Sequence, residues 1–378
     1  MSSFFPSFES FAKGTAATAA GLGTLAGIGL LYYGQNYLIY PSAFPQGSRE
    51  QVPVPSEFGL PYTDLTLTTP DGVKIKAFLL TQRRHLEIHG AAEIPWSLED
   101  DGDETHLISR QFVASRPTVI MFHGNGGNHG HRIPLARIFY LKMRCNVLMP
   151  SYHGYGLSEG TPSEKGLQMD AQTALDYVLQ DEMLGKTTVI IYGQSIGGAV
   201  AIDLASKNPH AISALILENT FTSLPRLIPT AMPFLSPVAF LCHQKWESYL
   251  KVPTLPTRIR ALLLGGVHDE VVPRTHMHDL WALFRARFAA GRTAAAHDPT
   301  KASAPGEPDK DLAPAVSMDD PPPLSENAGG DRFVEFGAGT HNDTCVQPGY
   351  WQAVAEFVGS LEGVNMPVGR ARRAGSGL

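Results

Sequence analysis

The chain is poor in cysteine. Three residues, Cys145, Cys242 and Cys345, stand far apart in 378. An odd and scattered set offers neither a disulfide framework nor a CxxC metal knuckle. Excess positive charge is also missing: 30 Lys and Arg against 36 Asp and Glu leave a net charge of −6. Such a balance carries no electrostatic footprint for nucleic acid. The 14 histidines form no H-E-x-x-H pattern, which speaks against zinc hydrolysis. No glycine-rich stretch ends in the Lys-Ser/Thr of a phosphate-binding loop. With 43% hydrophobic and 17% charged residues, the chain can build a core, which excludes wholesale disorder.

The most local absence lies near the N-terminus. No Asp, Glu, Lys or Arg occurs between Lys13 and Arg49. Within that window residues 15–34 form an apolar run, and about 20 residues of helix cross the hydrocarbon of a bilayer. Tyr32, Tyr33, Tyr37 and Tyr40 follow as an interfacial belt would. A transmembrane anchor is favoured over a cleaved signal peptide, because the run is long for a signal core and no small-x-small site follows Tyr33. Lys13 before the span favours an N-in orientation. The sequon Asn342-Asp343-Thr344 leaves the side of the membrane open, since a glycan there would crowd a site argued below.

Beyond the anchor, alternating residues 65–69 and 73–78 around Asp71-Gly72 predict a hairpin. Apolar strands are expected at 118–122, 146–149, 188–192, 212–217, 261–264 and 333–336, with helices at 131–144, 163–184 and 197–207. Strands alternating with helices give an α/β class: a mostly parallel sheet covered by helices on both faces. The expected division is a tail at 1–14, the anchor at 15–34, a juxtamembrane linker at 35–60, one catalytic domain at 61–362 and a basic tail at 363–378. Inside the domain, 84–115 and 291–331 read as polar, disordered surface insertions. Residues 221–250 mix Pro with apolar side chains and read either as a cap over a cleft or as plain core helices.

Two stretches match G-x-S-x-G, namely 193–197 and 156–160. Context separates them. Ser195 sits between an expected strand and a helix opening at Gly197-Gly198, the strand-to-helix elbow that exposes a nucleophilic hydroxyl. Ser158 sits in a loop and is assigned a turn role. A serine needs a base, and the base an orienting acid, in the chain order Ser, Asp, His for this class. Asp269 follows one apolar strand and His341 follows the last. Glu270 and Glu218 are weaker alternatives for the acid. The N–H groups of Ile196 and of Asn125, in the loop His123-Gly124-Asn125-Gly126-Gly127-Asn128, are the expected oxyanion donors. No metal or cofactor is required.

Several stretches together resemble the bud-emergence, or Bem-type, branch of membrane-anchored α/β hydrolases. They are residues 35–41 (QNYLIYP), 122–128 (FHGNGGN), 152–158 (YHGYGLS), 193–198 (GQSIGG), 269–273 (DEVVP) and 341–344 (HNDT). The resemblance implies the α/β-hydrolase fold, a single-pass anchor, the triad Ser195, Asp269 and His341, and serine-esterase or palmitoyl-thioesterase-like activity in an endomembrane such as the endoplasmic reticulum. Partners would be an acyl ester or thioester substrate and the lipid bilayer, with no nucleic acid. A peptidase of the same fold and a non-catalytic membrane scaffold are the alternatives. Departures from the family pattern are Gly126 in place of Ala, His153 in place of Arg, and the long insertion before His341; the first two are expected to bear on the pocket rim.

Overall fold

A computed structural model describes residues 34–84, 110–295 and 325–361, together with 27, 29 and 32. The expected span at 15–34 and the basic tail lie almost wholly outside them, as do most of the residues in the two polar insertions. Among the described residues no helix is long and apolar enough to cross a membrane.

Among the described residues nine strands form one sheet in the order β1-β2-β4-β3-β5-β6-β7-β9-β8. The N-terminal hairpin pairs β1 (Thr63–Thr68) with β2 (Lys74–Leu80), and β2 runs antiparallel to β4 (Asn146–Pro150). From there β4, β3 (Thr118–Phe122), β5 (Val189–Gln194), β6 (Ala214–Glu218), β7 (Arg260–Gly266) and β9 (Asp331–Phe336) are all parallel. The short β8 (Ser325–Ala328) closes the far edge antiparallel to β9.

The central strands are buried along their whole length, so alternate residues feed two separate cores. Ile120, Phe122 and Ile191 face one layer with α2 (Glu164–Gln180), α3 (Ile196–Lys207) and α6 (Thr275–Ala295). Val119, Met121, Ile190 and Tyr192 face the other, with α1 (Ile133–Leu141) and α7 (Tyr350–Leu361). A parallel sheet covered this way reads as continuous hydrophobic runs, which is why its strands were legible. α2 starts where Ser163 accepts a hydrogen bond from Gly166 N–H at 3.0 Å. It ends at 180, short of the expected 184, because Asp181 turns its carboxylate onto the N–H groups of Met183 and Leu184.

Parts of both insertions are ordered. Residues 110–114 are helical at the end of the first. In the second, α6 continues to 295, β8 forms, and Asp331 opens β9 with no exposed surface. Its polar composition marks edge and paired positions there rather than an unstructured run. Asp331 accepts Ala261 N–H at 2.8 Å and pairs with the Arg287 guanidinium, which also reaches the carbonyls of Pro256 and Ile259. Burial pushes the Asp331 carboxyl up and the Arg287 guanidinium down, and their pairing opposes both shifts. Breaking one partner leaves an uncompensated buried charge. Asp331→Ala is therefore expected to destabilise the fold by about 3–5 kcal/mol in urea denaturation, whereas the double change Arg287→Met with Asp331→Leu recovers most of that loss.

Candidate active site

The site forms where the parallel strands end. Register places Phe122 beside Gly193, Gln194 beside Glu218, and Gly266 beside Phe336, so the loops that follow β3, β5, β7 and β9 meet at one edge. This is where doubly wound sheets hold their ligands.

Between β5 and α3, Ser195 adopts φ 55° and ψ −119°, a backbone that a non-glycine residue rarely takes. Neighbouring glycines make the turn sterically feasible. A Cβ on Gly193 would lie 2.2 Å from the Gly197 carbonyl oxygen, and one on Gly197 would lie 2.2 Å from that of Phe122. A Cβ on Gly198 would strike Thr220, whose hydroxyl donates to the Ser195 carbonyl at 2.7 Å. The second G-x-S-x-G behaves differently. Ser158 is buried, accepts Lys76 N–H at 2.9 Å and donates to the Ser151 carbonyl at 3.1 Å, in keeping with its turn role.

His341 Nδ1 lies 2.8 Å from Asp269 Oδ2 and 3.0 Å from Oδ1. A carboxylate in that position keeps the proton on Nδ1 and leaves Nε2 as the acceptor. Asp269 is itself aimed: its Oδ1 accepts the N–H groups of Val271 and Val272 at 2.9 and 2.7 Å. Glu270 is not merely solvated, because it accepts the backbone N–H of His341 at 3.2 Å. Glu218 is fully buried and takes hydroxyls from Tyr192 and Tyr350, each at 2.5 Å; burial raises its carboxyl above the ordinary range. It has no hydrogen bond to the His341 ring.

Asn219 went unnoticed in the sequence. At φ 45° its Nδ2 donates to the carbonyls of Thr340 and His341 and to Thr344 Oγ1, while its Oδ1 accepts Gly266 N–H. One amide thus ties the ends of β6 and β7 to the His341 loop. No local pattern announces such a residue, since its partners lie 47 to 125 positions away.

The loop after β3 is held by chain that was expected to be a linker. Asn125 takes the Tyr155 hydroxyl on Oδ1 at 2.6 Å and donates Nδ2 to the Ile39 carbonyl. Asn128 donates to the carbonyls of Ser48 and Gln51, both at 3.0 Å, and Gly127 N–H to Phe44. Residues in 35–60 therefore pack against this loop, with Tyr40 and Leu60 buried. His123 stays neutral, since burial pushes its imidazole down to about 3.

Ser195, Ile196, Asn125 and His341 line one cavity of about 550 Å³, within the range of small-molecule sites. Gln35, Leu38, Ile39 and Phe44 form one side, and Phe221, Leu224, Leu227, Leu235 and Val238 another. The 221–250 segment thus supplies a wall of the cavity, and it holds α4 (Leu224–Ala231), a 3-10 helix at Pro233–Leu241 and α5 (Ser248–Lys251). Asn342 of the sequon lines the cavity as well. Of the two departures expected at the rim, Gly126 is there and His153 is not. His153 is buried between Asp170, 2.5 Å from Nδ1, and Asp71, 3.4 Å from Nε2, fastening the hairpin to α2.

A sequence model of the alpha/beta hydrolase fold matches residues 117–241. Over 345 residues the chain is 38% identical to protein bem46 of Schizosaccharomyces pombe, covering 91% of this chain and 92% of that one. It belongs to the Bem46 family of α/β hydrolases. The uncharacterized membrane protein YNL320W of Saccharomyces cerevisiae is 31% identical over 335 residues, covering 89% and 92% of the two chains. The alpha/beta hydrolase domain-containing protein WAV2 of Arabidopsis thaliana is 30% identical over 349, covering 88% and 90%. Among solved structures, an esterase of Pyrococcus furiosus shares the fold at 15% identity, with TM-score 0.53 over 82% of this chain and 95% of that one. In this Bem46-family fold, Asn219→Ala leaves Gly266 N–H without its acceptor and is expected to cost about 2–3 kcal/mol in thermal or urea melts. Gly126 has ordinary φ, and a Cβ there meets only the Phe44 carbonyl at 3.9 Å. Gly126→Ala should therefore stabilise the protein by about 0.4–1 kcal/mol in the same melts.

Proposed function

We propose that this Bem46-family hydrolase is a membrane-anchored serine hydrolase that cleaves carboxylic esters or thioesters of acyl chains. The observation that carries the reading is the meeting, in one apolar cavity, of a serine in a strained elbow and a histidine whose Nδ1 is paired to a carboxylate. In the proposed reaction His341 Nε2 takes the Ser195 proton as Oγ attacks the acyl carbonyl. Asp269 stabilises the imidazolium that forms. The N–H groups of Ile196, at the start of α3, and of Asn125 receive the developing oxyanion. Each such donor is worth about 3 kcal/mol in the transition state. His341 then returns its proton to the departing alcohol or thiol. Water, deprotonated by the same imidazole, attacks the acyl-serine, and the carboxylic acid leaves.

An apolar cavity wall suits an acyl chain better than a polar peptide, and the uncharged run at 15–34 supports an anchor. Ser195→Ala is expected to abolish labelling by a fluorophosphonate probe while the fold, followed by circular dichroism, is unchanged. Labelling that persists in this variant overturns the assignment. Asp269→Asn is expected to keep the geometry but favour the wrong histidine tautomer, lowering turnover of a model acyl ester by about 10⁴-fold.

A further inference from the structure

Two segments frame the mouth of the cavity, and both are free of Asp, Glu, Lys and Arg: residues 34–48 and residues 227–244. Tertiary structure joins them. The Gln35 carboxamide donates to the Leu241 carbonyl at 3.1 Å and accepts His243 N–H at 2.8 Å, and the Tyr32 ring packs on the His243 ring at 4.9 Å.

The 3-10 helix Pro233–Leu241 repeats every three residues, so positions three apart share a face. Leu235, Val238 and Leu241 line the cavity. On the opposite phase stand Phe234 and Phe240, each 79% exposed. A second apolar face, beside the one that lines the cavity, is ordinarily covered as well. The N-terminal segment repeats the pattern, with Tyr37 78% and Phe44 69% exposed beside the same mouth. An apolar rim of this kind marks an interaction surface, since isolated soluble surfaces rarely group such rings.

We propose that this rim inserts into the headgroup–acyl boundary of the bilayer, so that the cavity opens into lipid and receives a membrane-resident acyl chain laterally. The proposal rests on the anchored-hydrolase reading above. The uncharged run that would span the membrane ends at Gly34, and Leu38 already lines the cavity. Four helical residues advance only about 6 Å, so the mouth lies within about one turn of the end of the span. No charged residue separates them. Two exposed phenylalanines on the 3-10 helix and the apolar segment behind the anchor then reach the interface together, as amphipathic interfacial elements do. The substrate class narrows to acyl esters and thioesters whose chain is already dissolved in the membrane.

The test uses the full chain reconstituted in phosphatidylcholine vesicles. Tryptophan is introduced as Phe234→Trp or Phe240→Trp, and its emission is quenched with lipids spin-labelled near the headgroup end of the acyl chain. Quenching stronger than that of the four native tryptophans supports insertion; quenching no stronger overturns it. Emission shielded from both water and lipid, with a cross-linked dimer, means a second copy covers the rim and also overturns it. In a kinetic arm, Phe234→Ser with Phe240→Ser is expected to lower turnover of a vesicle-borne long-chain acyl thioester at least about tenfold, with a soluble short-chain ester unaffected. Equal loss on both substrates, or loss on neither, overturns the docking. Lipid quenching requires no catalysis. Failed insertion with intact Ser195 labelling rejects only the docking, and failed labelling with intact insertion rejects only the hydrolase reading.

Discussion

The backbone at Ser195 is the constraint around which the site is assembled. A residue held at φ 55° and ψ −119° costs on the order of 1–3 kcal/mol, and it persists only where the surroundings leave no alternative. Here those surroundings are β5 on one side, α3 on the other, and the end of β3 pressed against Gly197. Each close approach excludes a side chain, so three glycines and Thr220 together dictate how α3 leaves the sheet. That departure aims the first N–H groups of α3 at the edge where the other loops gather. A helix N-terminus so placed favours negative charge, which suits an oxyanion.

The residues that gather around the cavity beside Ser195 are held by polar groups. Asp269 is oriented by two backbone N–H groups, the His341 backbone by Asn219 and Glu270, and the loop after β3 by Asn125 and Asn128. Buried amides and carboxylates of this sort are demanding, because every donor and acceptor must be met. The cost of misplacing one explains why the choice between Asp269 and Glu270 has a physical answer. Only the first turns its carboxylate to the imidazole; the second is engaged by the backbone of the same histidine.

The cavity wall combines chain from both ends of the sheet. Trp246 donates its indole N–H to the Tyr40 hydroxyl at 2.9 Å, and that hydroxyl donates to Gln244 at 3.0 Å. Glu164 at the start of α2 accepts the N–H groups of Lys245 and Trp246. The 221–250 segment is therefore fastened both to the N-terminal segment and to α2.

Local pattern determined much about this protein. Apolar runs revealed the parallel strands because burial on both faces removes alternation, and the glycines flanking Ser195 marked the elbow because only glycine tolerates those contacts. The proposed triad Ser195, Asp269 and His341 could be singled out for the same reason: each residue follows a strand that announces itself. Composition misled where polar residues are paired at a distance, as with Asp331 against Arg287 and β8 at the sheet edge. Only the tertiary structure decided that residues 35–60 pack against the loop after β3, that 221–250 walls the cavity, and that Asn219 holds the histidine loop. Those roles depend on partners as many as 208 positions away in the chain, and a sequence records such proximity nowhere until the sheet brings its edges together.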